Sequence, residues 1–150
     1  MAQPAVVGGG RPSREGRVAR RVLLGAAVIS CLAQLIALYR PAGPPAPDLV
    51  PHLDKVGHLV IFAVPVLLIM LWRAARRRGR PGPWFGTAVI AIFVGHAVLS
   101  EVVQGALLPD RSGDLFDVGA DLLGIAIGYG TAVLIIARRT LISQWKPGDR

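Results

Sequence analysis

Four long runs of apolar residues constrain this chain of 150 residues more than any other feature of its sequence. The runs cover residues 22–39, 56–72, 84–107 and 115–137. A transmembrane helix needs roughly 20 such residues to cross a hydrocarbon core about 30 Å thick. None of the runs alternates apolar and polar residues as a half-buried strand does, and lipid requires that backbone hydrogen bonds are satisfied internally. The sequence therefore predicts an all-α polytopic membrane protein, a bundle of four transmembrane helices.

The basic residues fall mainly on one side of these runs. Residues 1–21, the connection 73–83 and the tail from residue 138 hold fourteen of the 17 Lys and Arg residues. The two other connections hold the remaining three, Arg40, Lys55 and Arg111. Because connections rich in Lys and Arg stay in the cytoplasm, both termini are expected to be cytoplasmic. A soluble protein this basic would suggest nucleic-acid binding, but arginines placed between apolar runs indicate a membrane, and no nucleic-acid partner is expected.

The same pattern divides the chain into three parts. Residues 1–21 are rich in Gly, Pro and Arg and are predicted to be a disordered basic cytoplasmic tail, residues 22–137 a four-helix membrane domain, and residues 138–150 a second cytoplasmic tail. A cleaved signal peptide is the alternative for the first run, since arginines precede it, but no small-x-small cleavage site follows. A lipoprotein signal at Cys31 is weakly supported because the apolar residues 32–39 follow the cysteine. A single cysteine also forms no disulfide framework.

Acidic residues and histidines concentrate on the side opposite to the arginines. Seven of the nine acidic residues lie there with the three histidines: Asp48, Asp54, Glu101, Asp110, Asp114, Asp117, Asp121, His52, His58 and His96. At about 100° per residue, Asp54 and His58 share one helix face, as do Glu101 and Gln104. At the start of the fourth helix Asp114, Asp117 and Asp121 fall within roughly 60°, a stripe that Gly124 and Gly128 continue. One polar stripe from each of three helices predicts a common pocket at the outer end of the bundle.

The cost of burying charge supports this prediction. A carboxylate at the bilayer centre costs about 2.5–3.5 kcal/mol on insertion scales, and such groups usually face an interior or a cavity. Pairing with Lys55 or Arg111, or protonation, would relieve part of that cost for Glu101 and Asp121. A purely structural cluster that holds the helices together through buried hydrogen bonds is the alternative.

Two strings of residues carry a family resemblance. The first is Asp54-Lys55-Val56-Gly57-His58, followed by Phe62. The second is Glu101-x-x-Gln104, Pro109-x-Arg111-x-x-Asp114-x-x-Asp117, and then Gly124 and Gly128. Over about residues 54–128 the chain resembles the VanZ-like membrane proteins. It departs from them at Asp121, where that family more often has asparagine.

The resemblance implies a multi-pass protein of the bacterial cytoplasmic (inner) membrane with about four helices. The namesake of the family is associated with resistance to the glycopeptide antibiotic teicoplanin, so a link to antibiotic resistance is one role that the resemblance suggests. It implies no particular reaction.

The leading hypothesis is an outer polar pocket that binds or helps modify an anionic cell-envelope or lipid-linked component. Lys55 and Arg111 would contact the anionic headgroup of a membrane lipid, and the carboxylates would orient these two cations. The predicted binding residues are Asp54, Lys55, His58, Glu101, Gln104, Arg111, Asp114, Asp117 and Asp121. The sequence is also compatible with an oligomer of this chain.

The alternative is a membrane-embedded enzyme, in which Glu101 or Asp117 acts as general base near His58 on a lipid or cell-wall precursor. A third hypothesis is a metal site of His58, Glu101 and Asp117. No H-E-x-x-H or paired-cysteine spacing supports it, so neither a metal nor another cofactor is expected. Transport is weakly supported because no inverted repeat is visible.

Overall fold

The computed structural model describes residues 13–40, 53–77, 81–108 and 114–144. These residues form four helices and no strand: α1 (Arg14–Tyr39), α2 (Leu53–Arg77), α3 (Pro83–Leu107) and α4 (Leu115–Gln144). Each helix is long and apolar enough to cross a membrane. The predicted all-α bundle of four transmembrane helices is therefore confirmed, whereas the direction in which it crosses the membrane stays a prediction.

Helix α1 begins earlier than the sequence indicated. The Ser13 side chain accepts a hydrogen bond from the backbone N–H of Gly16 at 3.2 Å and so caps the first turn. The Arg20 side chain donates to the carbonyl of Gly16, which adds a contact one turn apart. Residues 14–21 are therefore helical where the sequence predicted a disordered tail, and residues 1–12 lie outside the described residues. Helix α4 likewise continues to Gln144, into the predicted tail.

Helix α2 lies at the centre of the bundle. It packs most extensively on α4 and also contacts α1 and α3, whereas α1 and α4 do not contact each other over the described residues. Two glycines explain the tight α2–α4 contact. A Cβ atom on Gly124 would collide with the carbonyl oxygen of Leu59, and one on Gly128 with that of Ala63. The glycine stripe therefore lets the two backbones approach closely, as the sequence predicted.

A buried apolar core fills the middle of the bundle. Phe62, Val66 and Met70 of α2 pack against Phe93 of α3 and Ile125 of α4, all at most 7% exposed. The rings of Phe62 and Phe93 meet edge to face at 6.3 Å between centroids. Many large apolar side chains on all four helices point outward, which suits contact with lipid.

The two ends of the bundle differ in charge. The Lys55 end comprises the last residues of α1 and α3 and the first residues of α2 and α4. The opposite end, called the arginine end, carries Arg17, Arg20 and Arg21 of α1, Arg73 and Arg76 of α2, and Arg138 and Arg139 of α4. The contacts between acidic side chains, Lys55 and His58 are concentrated at the Lys55 end.

Candidate functional site: a polar cluster at the Lys55 end

Three helices and the residue that precedes α4 bring six polar side chains together at the Lys55 end. We call Lys55, His58, Glu101, Asp114, Asp117 and Asp121 the polar cluster. Lys55 and His58 come from α2, Glu101 from α3, and Asp117 and Asp121 from α4. The sequence predicted that one polar stripe from each of three helices converges at this end of the bundle.

Lys55 contacts three carboxylates. Its Nζ lies 2.8 Å from Asp114 Oδ2 and 2.8 Å from Asp117 Oδ1, and 3.5 Å from Asp54 Oδ2. An ammonium group has three N–H donors, and the hydrogen bonds to Asp114 and Asp117 use two of them, while Asp54 adds a longer ion pair. The side chain of Asp54 is 62% exposed and takes part only in this longest contact, so it lies at the margin of the cluster.

Asp114 links the cluster to the start of α4. Its Oδ1 accepts a hydrogen bond from the backbone N–H of Phe116 at 2.8 Å, while its carbonyl accepts from the N–H groups of Asp117 and Val118. This arrangement is a helix N-cap. The hydrogen bond from Lys55, together with that from Phe116, holds the pKa of the Asp114 carboxyl below its usual value. Asp114 therefore stays ionised and fixes Lys55 against the helix end.

His58 and Asp121 form the deepest pair of the cluster. His58 Nδ1 lies 3.0 Å from Asp121 Oδ1, and the Asp121 side chain is fully buried. The other ring nitrogen, Nε2, lies 3.8 Å from Asp117 Oδ2. With a proton on Nδ1, His58 donates to Asp121 and its Nε2 has a free lone pair. Asp121 thus orients the imidazole, a function that asparagine would share only in part.

Glu101 joins α3 to the cluster. Its Oε2 accepts a hydrogen bond from the backbone N–H of Asp114 at 2.8 Å, which ties α3 to the residue that caps α4. Its Oε1 is buried and has no hydrogen-bond partner among the described residues, and the same holds for Asp121 Oδ2. One oxygen of Glu101 therefore serves the fold, and the other is free to bind something else.

Two other predicted binding residues are placed differently. Gln104 is buried, and its Nε2 donates to the carbonyl of Leu38 at 3.0 Å, so in the described structure it ties α3 to the end of α1. Arg111 lies outside the described residues, as do His52 and Asp110. The binding roles of Gln104 and Arg111 therefore stay predictions.

Gln34 is a buried polar residue that no sequence motif marked. This residue of α1 is 2% exposed, and its Nε2 has no hydrogen-bond partner in the described part of the chain, as is also true of His96 Nε2. Both line a cavity of about 500 Å³, with Trp72 and Phe85 at its other end. One amide within an otherwise apolar run was the available signal. The His96 ring packs 5.7 Å from that of Phe62, below the cluster.

Comparison with known families shows to which family the chain belongs. The sequence profile of the VanZ/LLP1 family matches residues 15–137, which include all four helices almost completely. The chain belongs to the VanZ/LLP1 family. Comparisons with curated proteins and with solved structures found no match.

Membership in the VanZ/LLP1 family confirms the resemblance drawn from the two residue strings, and with the four apolar helices it establishes a multi-pass membrane protein. The matched region begins at residue 15, one residue after the start of α1 at Arg14. All six residues of the polar cluster fall within it.

Proposed function

We propose that this VanZ/LLP1 protein works in the bacterial inner membrane, where its polar cluster binds, and helps to modify, the anionic headgroup of an envelope lipid or lipid-linked component. The observation that carries the proposal is the pair of buried carboxylate oxygens, Glu101 Oε1 and Asp121 Oδ2, that have no partner among the described residues. Leaving buried polar atoms unsatisfied costs about 1–3 kcal/mol each. A site that keeps such acceptor atoms is expected to satisfy them with a hydrogen-bond donor, such as a hydroxyl or amine of the headgroup, or with a cation.

The position of the cluster favours a lipid ligand. Lys55 lies near the start of α2 and Asp114 directly before α4, so both lie at the end of helices that can cross a membrane. Headgroups occupy this level of a bilayer, just outside the hydrocarbon core. A headgroup at this level would lie beside the cluster while its chains stay in lipid.

Charge limits how an anion can bind there. The cluster contains four carboxylates and one lysine, and that lysine already contacts Asp114 and Asp117 at 2.8 Å. Lys55 therefore orients the carboxylates and has little capacity left for a phosphate. An anionic headgroup needs further positive charge at this end, which Arg111 would supply in the arrangement predicted from the sequence.

The second candidate is a membrane-embedded enzyme with a carboxylate–histidine acid–base pair, and one distance favours it. The 3.0 Å contact between Asp121 and His58 fixes the orientation of the imidazole, and a positioned imidazole is the side chain that most often transfers protons in acid–base catalysis. In this candidate His58 exchanges the proton with the headgroup, and Glu101 is the second carboxylate within reach.

Lipid and cell-wall-precursor analysis of a strain that lacks the protein tests both candidates. Glu101→Gln is the diagnostic variant, because glutamine can still accept the hydrogen bond from Asp114 while the charge is lost. Glu15→Gln, the same change in the first turn of α1 at the arginine end, is the matched control. We expect wild type and the control to restore the normal profile and Glu101→Gln to fail at equal protein level.

The outcomes separate the candidates. An accumulating lipid or wall intermediate supports the enzyme, and altered sensitivity to envelope-directed drugs with unchanged composition supports binding. Full restoration by Glu101→Gln, or a deletion strain with neither change, contradicts the proposed function.

A further inference from the structure

Three potential metal ligands from three different helices meet inside the polar cluster. His58 of α2, Glu101 of α3 and Asp121 of α4 each offer one ligand atom, and these atoms lie within 4.8 Å of one another. Two ligands that share an ion at 2.0–2.4 Å each can be at most about 4–5 Å apart. The three side chains are therefore close enough to share one ion with only a small adjustment.

Two of these three ligands, Glu101 and Asp121, are also buried. Glu101 is 7% exposed and Asp121 is 0% exposed, and each keeps one carboxylate oxygen without a hydrogen-bond partner among the described residues. Two buried carboxylates with ligand atoms within 4.8 Å of an imidazole atom form an electron-rich group that is largely shielded from water. Buried charges of this kind are normally paired or bound to a metal.

The other residues of the cluster do not compete for this position. Asp117, which the sequence placed in the hypothetical metal site, is hydrogen-bonded to Lys55 at 2.8 Å. The remaining oxygen of Glu101 holds the N–H of Asp114, which fixes the direction of its carboxylate. Ligating carboxylates are typically supported by hydrogen bonds of this type.

From these contacts we propose that His58, Glu101 and Asp121 bind one divalent cation of the first transition row, with Zn²⁺ or Mn²⁺ the best match. One imidazole with two carboxylates suits these borderline ions better than Ca²⁺ or Mg²⁺, which take oxygen ligands almost alone. Three protein ligands leave at least one coordination position open. The sequence gives no spacing motif for this site because each ligand comes from a different helix.

The cation site deepens the proposed function and, in its role toward a headgroup, rests on it. A divalent ion supplies the positive charge that Lys55 cannot, so a phosphate headgroup could occupy the open position. Binding of the ion itself requires only the three side chains. Metal binding and headgroup binding can therefore be disproved separately.

Metal binding by the full-length protein tests the proposal directly. The protein is purified in detergent, its metal content is measured, and after chelation it is titrated with Zn²⁺ and with Mn²⁺ while melting is followed. We expect about one ion per chain and a higher melting temperature for at least one of the two ions. Glu101→Gln and Asp121→Asn are each expected to weaken binding about tenfold or more, whereas Glu15→Gln binds like wild type.

Two results overturn the cation site. One is the absence of any bound ion and of any shift in melting with Zn²⁺ and Mn²⁺, which would assign the unpaired oxygens to protonated carboxyl groups. The other is unchanged affinity in Glu101→Gln and in Asp121→Asn, which would place the ion elsewhere. If one variant does not fold, the second still decides. A bound ion together with an unaltered deletion strain would contradict only the headgroup assignment.

Discussion

Replacing Gly128 by alanine tests the close contact between α2 and α4. The added Cβ atom would meet the backbone of Ala63, with its carbonyl oxygen nearest and its Cα and carbonyl carbon both 3.0 Å away. A backbone cannot turn aside as a flexible side chain can, so the two helices must separate. Separation would also stretch the contact between His58 and Asp121, which crosses the same interface.

The expected loss of stability in Gly128→Ala follows from the cost of overpacking. Inserting one methyl group into a well-packed interface typically costs about 1–3 kcal/mol. Gly130→Ala is the matched control, because its Cβ meets nothing within 4 Å on the same helix. That variant should be neutral or stabilised by up to about 1 kcal/mol through higher helix propensity. For a chain of this size, 1–3 kcal/mol corresponds to a melting temperature lower by roughly 2–12 °C.

The assay is thermal unfolding of wild type and both variants in the same detergent, read as the fraction that remains monodisperse after heating. We expect Gly128→Ala to melt below wild type and Gly130→Ala at or above it. Equal melting of the two variants would refute the argument that the α2–α4 contact requires glycine at position 128.

Three further predictions concern charge and orientation. In a Cys31→Ser background, a cysteine at Gly43 should react with an impermeant thiol reagent in intact cells and one at Gly79 should not; the reverse pattern would invert the predicted orientation. Because the pKa of Asp114 is lowered, its contribution to stability should be complete above its usual pKa of about 4 and lost as the pH falls through the lowered value. Wild type should therefore melt at a higher temperature than Asp114→Asn, which keeps the N-cap, and this difference should vanish only below about pH 4. A difference that disappears near neutral pH would contradict the lowered pKa of Asp114. Lys55→Met should lower the melting temperature at pH 7 because two carboxylates lose their counter-charge, and adding Asp114→Asn should restore part of it; an additive loss in the double variant would argue against this pairing.

The sequence alone determined the fold class and the end of the bundle at which the polar side chains meet. Four apolar runs near the length of a bilayer core leave few alternatives to four spanning helices, since lipid cannot satisfy an open backbone. The spacing of Asp117 and Asp121 predicted which side of α4 is polar, and Gly124 and Gly128 predicted where it approaches another helix. These features depend only on the helix repeat, which is the same in every protein.

Only the tertiary structure decided which side chains pair. The helix repeat gives the face of a residue but neither the rotation of its helix nor its height relative to a neighbour. The glycine contact with Ala63 fixes that height for α2 and α4, so His58 meets Asp121 at 3.0 Å and Lys55 meets Asp117. Gln104 donates to the carbonyl of Leu38 on α1 and not to the cluster, which depends on the rotation of α3 and so could not be predicted from the helix repeat. The early start of α1 was also missed, because composition suggested disorder for residues 14–21, where Ser13 caps a helix that continues directly into the apolar run.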